Sequence, residues 1–114
     1  MIVIVGQNPS TAKQKKNSTF DRLGKWTKAV GLESYDFMNC SDDPGDKYEI
    51  DYERLSATKK YKKVIALGGV ASKALSKVGV EHFKMPHPSP RNRQLNDKQF
   101  EIDMLFKMKE YLLW

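Results

Sequence analysis

The chain has 114 residues, 39% of them hydrophobic and 30% charged, which suits one modest core in a single domain over 1–114 and leaves no length for a second. Twenty Lys and Arg against fourteen Asp and Glu give a formal charge of +6 and a pI near 9.4, the balance of a protein that meets a polyanion, with nucleic acid the first expectation. The single cysteine, Cys40, excludes an internal disulfide, a four-cysteine zinc site and an iron–sulfur cluster held by this chain's own thiolates, and it points to a cytoplasmic location.

The β-branched run Ile2 to Val5 predicts a buried parallel strand that ends at Gly6. It is too short for a transmembrane helix and lacks the basic start of a signal peptide. Ser18-Thr19-Phe20-Asp21 has the form of a capping box with Asp in place of Glu. Phe20, Leu23, Thr27 and Val30 continue at helical spacing until Gly31. Tyr35 to Cys40 predicts a second strand, followed by a turn over Ser41 to Gly45. A polar helix is expected over Asp51 to Lys60, a third strand over Lys63 to Leu67, and a helix opening at Gly68-Gly69 and running to Lys77. Gly79 ends that helix, Val80 to Met85 predicts a fourth strand, and the prolines of Pro86 to Pro90 enforce a loop. From Asn96, a plausible cap, Phe100, Met104, Phe106, Met108, Tyr111 and Leu112 predict a terminal amphipathic helix.

Strands alternating with helices imply an α/β fold, three layers deep, with a four-stranded parallel sheet. Such sheets place their sites beyond the carboxyl ends of the strands. Three loops should converge there: Gly6 to Ser10, Asn39 to Gly45 and His87 to Arg93. Gly68-Gly69 lacks the Lys-Ser/Thr of a phosphate-binding P-loop and the third glycine of a dinucleotide fingerprint. His82, His87 and Cys40 show no metal-ligand spacing.

Gly6-Gln7-Asn8-Pro9-Ser10 after the first strand and His87-Pro88-Ser89-Pro90-Arg91 after the last resemble the two signature motifs of the uracil-DNA glycosylase superfamily. Phe20 follows Asn8 by twelve positions, Asn39 ends the second strand, and Val64 to Ala71 is similar to the family's strand-to-helix segment. The resemblance spans nearly the whole chain. It implies a cofactor-free DNA glycosylase whose partner is DNA containing uracil or a modified base.

The chemistry of these residue types agrees. Breaking an N-glycosidic bond to a pyrimidine leaves an oxocarbenium-like sugar and a base anion, so charge on the base must be stabilised and a water placed at the sugar. The resemblance assigns His87 the hydrogen bond to the base's O2 and Asn8 the water. An amide orients water but takes no proton, so slower chemistry is expected than with the carboxylate of the most active branches. Gln7, Phe20 and Asn39 are the base-binding candidates: Phe20 would stack on a flipped base, and the Asn39 amide can pair with uracil's N3–H and O4 where cytosine presents the opposite pattern. Ser10 stands where the strictly uracil-specific branch has a bulky tyrosine, which implies tolerance of 5-substituted uracils. Ser10, Ser89, Pro90, Arg91 and Arg93 would contact DNA, Arg91 filling the gap left by the flipped nucleotide, with Lys13, Lys15 and Lys16 adding phosphate contacts.

Each residue also has a plain structural role. Asn-Pro initiates turns, a loop histidine caps a carbonyl, Asn39 can finish a strand, Phe20 can staple a helix to the core, and the lysines can be solvated surface. His82 is read as structural. The chain is short for this superfamily, which leads us to expect absent leading helices and a homodimer or partner protein covering the reduced fold. The competing reading keeps the fold and pocket but makes the protein a non-catalytic base or DNA binder, or a subunit of a DNA-processing complex. A weaker one is an N-glycosidase or transferase acting on a free nucleoside or a modified base.

Overall fold

In the computed structural model, the residues described are 1–7, 18–43, 48–88 and 92–113. Four strands, β1 (Ile2–Gly6), β2 (Asp36–Asn39), β3 (Lys63–Leu67) and β4 (Phe83–Met85), form one sheet in the order β2-β1-β3-β4, every neighbouring pair parallel. The helices are α1 (Ser18–Ala29), α2 (Tyr52–Ser56), α3 (Gly68–Lys77) and α4 (Lys98–Leu113). The α/β class and the parallel sheet are as the sequence predicts.

The two central strands explain the core. Alternate side chains of a strand point to opposite faces, and here both faces are apolar. Val3, Val5, Val64 and Ala66 pack with Leu55 of α2 and with Ala71, Ala74 and Leu75 of α3. Ile4, Ile65 and Leu67 pack on the other face with Leu23 and Trp26 of α1 and Met108 of α4. Trp26, missing from the predicted stripe, is buried with its indole N–H donating to Glu101 of α4 at 2.8 Å. Among the described residues, no helix is long and apolar enough to cross a membrane.

Several expectations need correction. The second strand is shorter at both ends than Tyr35–Cys40. The fourth strand begins at Phe83, not Val80, because Gly79 takes a positive φ of 74° and the Gly79 and Val80 amides turn back to the Ser76 and Leu75 carbonyls. The predicted helix over Asp51–Lys60 divides into α2 and a 3-10 turn over Ala57–Lys60, with the Asp51 carboxylate capping α2 through the Arg54 amide. Asn96 is not the cap of α4. It closes a 3-10 turn over Arg93–Asn96, and Asp97 Oδ1 accepts from the Gln99 and Phe100 amides instead. Phe106 is 64% exposed because it lies across the helix from Met104 and Met108. Phe20, read at helical spacing with core residues, is about half exposed at 48%.

Candidate active site at the carboxyl edge of the sheet

Gly6 ends β1 beside Asn39, the last residue of β2, in register. The Cys40 amide continues the ladder to the Gly6 carbonyl at 2.9 Å. A Cβ at position 6 would lie 2.7 Å from Asn39 Oδ1 and 3.0 Å from Phe37 Cζ. The Asn39 amide therefore lies over Gly6, in space that only glycine leaves. Phe37 and Asn39 are two apart on β2 and share a face, and Phe20 of α1 meets the Phe37 ring edge-on at 5.1 Å between centroids. The predicted base-binding residues Phe20 and Asn39 are thus linked through Phe37 and Gly6.

The Asn39 backbone is anchored from the loop side. Arg54 donates to the Asn39 carbonyl at 3.3 Å while its guanidinium forks onto Asp42 at 2.9 and 2.6 Å. This guanidinium holds the Asp42 carboxyl below its ordinary range. Gln7 donates from Nε2 to the Tyr48 hydroxyl at 2.8 Å, which fixes its side chain across a separation of 41 residues. Cys40, next to Asn39, is buried, and burial pushes its thiol up to about 11, so it stays protonated and unreactive.

On the other half of the edge, His87 follows β4 between Pro86 and Pro88, both buried. Its ring rests on the strand-to-helix junction after β3. A Cβ at Gly68 would lie 3.1 Å from His87 Cβ and 3.3 Å from its Cδ2, and Gly68 itself has a positive φ of 88°. Only glycine satisfies both demands. Asn92 donates to the His87 carbonyl at 2.9 Å and caps the following 3-10 turn, so the loop is tied to the segment whose Leu95 enters the core. Burial lowers the imidazole pKa from its ordinary 6.5 and keeps the ring neutral at pH 7. Such a ring offers one N–H donor without a permanent charge. Because α3 begins beneath it, the partial positive charge of a helix start lies under the same ring.

The structure therefore brings Gln7, Phe20, Asn39 and His87 to one edge, carried by three strands and the start of α1. Arg93 is exposed on the 3-10 turn just beyond the His87 loop. Asn8, Ser10, Ser89, Pro90 and Arg91 lie outside the described residues, as do Lys13, Lys15 and Lys16. His82 is bonded at both ring nitrogens, to Ser72 Oγ at 2.7 Å and to the Val80 carbonyl at 2.9 Å, which makes it a brace between α3 and the start of β4. Sequence reading missed Tyr48, Arg54, Phe37 and the Gly68 contact. For Gly68, the Gly-Gly pair after a strand was the available signal. No protein-family model, curated protein or solved structure matches this chain.

Proposed function

We propose that this protein is a small DNA glycosylase of the uracil-DNA glycosylase type, hydrolysing the N-glycosidic bond of uracil or a 5-substituted uracil in DNA. The observation that carries this reading is the neutral, proline-flanked His87 seated on Gly68 along the same strand edge as Asn39 seated on Gly6. The expected arrangement is the family's three-layer fold.

In the proposed reaction, the bond between N1 of the base and C1′ of the sugar breaks and the electron pair leaves with the base. The oxygen of water forms the new bond to C1′, and its proton passes to solvent or the departing base. His87 donates to O2 as negative charge collects there, an interaction stronger in the transition state than in the ground state. Asn39 pairs with N3–H and O4, Phe20 stacks on the base, and Asn8 orients the water. Asn8 offers no base and no counter-charge to the sugar, so turnover is slow. That same feature favours the second reading, a base or DNA binder with this pocket and no catalysis.

The deciding experiment is single turnover: excess protein with a labelled oligonucleotide carrying one uracil opposite A, opposite G or unpaired, followed by alkali, with His87→Ala alongside. Cleavage abolished in the variant supports the glycosylase. Salt-sensitive binding with no cleavage in any context leaves the non-catalytic binder. A panel of 5-substituted uracils, all left intact while uracil is removed, would reject the broader substrate range.

A further inference from the structure

A concave basin of about 810 Å³ opens at the opposite, amino edge of the sheet, where β3 and β4 begin. Its wall includes Lys59, Lys62 and Lys63, with Glu81 the one carboxylate among the residues lining it. These lysines belong to the run Lys59-Lys60-Tyr61-Lys62-Lys63, four cations in five positions. The ion pairs among the described residues all use arginines, Arg22 and Arg54, so none of these lysines is neutralised by a carboxylate there.

Two of the four are held over aromatic rings. Lys63 Nζ lies 4.7 Å from the centroid of Tyr111, whose hydroxyl is bonded to both the amide and the carbonyl of Val64. Lys60 Nζ lies 5.7 Å from the Tyr61 centroid, and the Tyr61 hydroxyl donates to Asp36 at 2.5 Å. Of these two, Lys63 lines the basin, and the ring pinned to the β3 backbone beneath it restricts that lysine, lowering the ordering cost of binding. Near the end of α3, the Leu75 and Ser76 carbonyls already accept from Val80 and Gly79. Those two carbonyls are satisfied acceptors rather than open ones.

We infer that this basin binds the phosphodiester backbone of a nucleic-acid strand, at a contact separate from the proposed excision site. A concave surface lined by one sign of charge concentrates a polyanion, and lysine serves phosphate as a point charge. The lining contains none of the exposed large hydrophobic side chains that a membrane-inserting surface requires. Lysine is depleted from protein–protein interfaces, which disfavours an acidic protein. β3 has five residues, so at about 3.3 Å each the two edges stand roughly 15 Å apart. A flexible single strand can span that separation around the molecule's 22 Å dimension.

The test uses uracil-free DNA, so it succeeds or fails independently of any excision activity. Binding of a labelled single-stranded oligonucleotide of about 12 nucleotides is followed by anisotropy over a range of salt concentrations. The basin variant Lys59→Gln/Lys62→Gln/Lys63→Gln is compared with Lys25→Gln/Lys73→Gln/Lys107→Gln, which removes the same charge from exposed positions on α1, α3 and α4. At about 0.7 per neutralised phosphate, the basin variant should lower the slope of log K against log salt by about 2 and weaken binding at least 10-fold, the other variant far less. Equal losses in both variants, or none in the basin variant, would overturn the inference. So would a loss confined to vesicles containing phosphatidylserine, or displacement of the wild-type complex by orthophosphate at constant ionic strength. Circular dichroism checks folding, and Lys59→Gln alone, at an exposed position, should still lower the slope by about 0.7.

Discussion

At the carboxyl ends of its strands the sheet presents an amide, a neutral imidazole and two glycines that must remain glycines; at the amino ends of the same strands it presents lysines over pinned tyrosines. One edge is organised by close contact, the other by charge. Contacts at base edges discriminate among bases, whereas phosphate contacts position without reading. The division falls on the two ends of one sheet because loops after parallel strands converge on side chains of separate origin, while the loop entering β3 draws its cations from one short run. Under the proposed function and the inferred backbone contact, substitutions at the first edge should alter chemistry or specificity, and those at the second should alter affinity and its salt dependence.

The largest effect expected is at His87. Under the proposed reaction, His87→Ala removes the donor to the charge developing on O2, and single-turnover excision should fall by about 10²- to 10³-fold. Binding of uracil-free DNA should change less than threefold. An equal loss in both assays would place His87 in DNA attachment and erase the contrast between the edges. Next in size is Gly68→Ala, which adds a Cβ 3.1 Å from that of His87 at a backbone angle unsuited to alanine. Urea denaturation should show a loss of about 1–3 kcal/mol, together with slower excision as the ring is displaced. Gly24→Ala serves as its counterpart: in α1, with open space around the added carbon, it should stabilise by about 0.5–1 kcal/mol.

What could be read from the sequence follows from the range of the interactions involved. The parallel sheet was legible because Ile2 to Val5 and Lys63 to Leu67 are short apolar runs, and the strand-loop order places Gly6, Asn39 and His87 at one edge whatever the packing details. The Gly-Gly pair was legible as a helix opening but not as the floor under His87, since that contact joins two strands' loops and depends on a positive φ. Tyr48 carries no periodicity in its polar loop, and its bond to Gln7 spans 41 residues. Phe106 and Asn96 depart from expectation for local reasons: Phe106 is apolar but out of helical phase with Met104 and Met108, and Asp97 competes for the same cap. The amino-edge lysines form one short run in the sequence, and they line a basin because Thr58 and Lys59 of the 3-10 turn, Ser76 of α3, the segment Gly79 to His82 and Tyr111 of α4 surround them.

The pH dependence sharpens the contrast by a moderate amount. Burial lowers the His87 pKa in the folded protein below the ordinary 6.5, so the unfolded chain takes up the proton first as pH falls. The stability contribution of this group is then level above 6.5 and declines with pH below it, because the unfolded state binds more protons there. Excision through the neutral ring should likewise hold steady from pH 8 to 6.5 and fall once the folded protein's lowered pKa is crossed. A rate that climbs as the solution is acidified would instead identify the imidazolium as the donor. The same titration should leave the His87→Ala variant's residual rate without this decline.

The smallest effect expected is at Tyr48, whose hydroxyl accepts from Gln7 at the partly buried start of the site. Tyr48→Phe keeps the ring and removes the acceptor, costing about 0.5–1.5 kcal/mol, the net worth of one ordinary hydrogen bond. If the bond only braces the loop, the cost appears in the melting transition and the uracil excision rate at saturating protein is unchanged. If it orients Gln7 toward the base, the excision rate falls about threefold while the denaturation midpoint moves little, since water can replace the lost partner in the free protein. Gln7→Ala separates the two: under orientation, combining it with Tyr48→Phe adds nothing to the excision defect of Gln7→Ala alone, because the hydroxyl acts only through the amide. Additive defects would mean that Tyr48 touches the substrate itself, and the specific edge would then include the loop before α2.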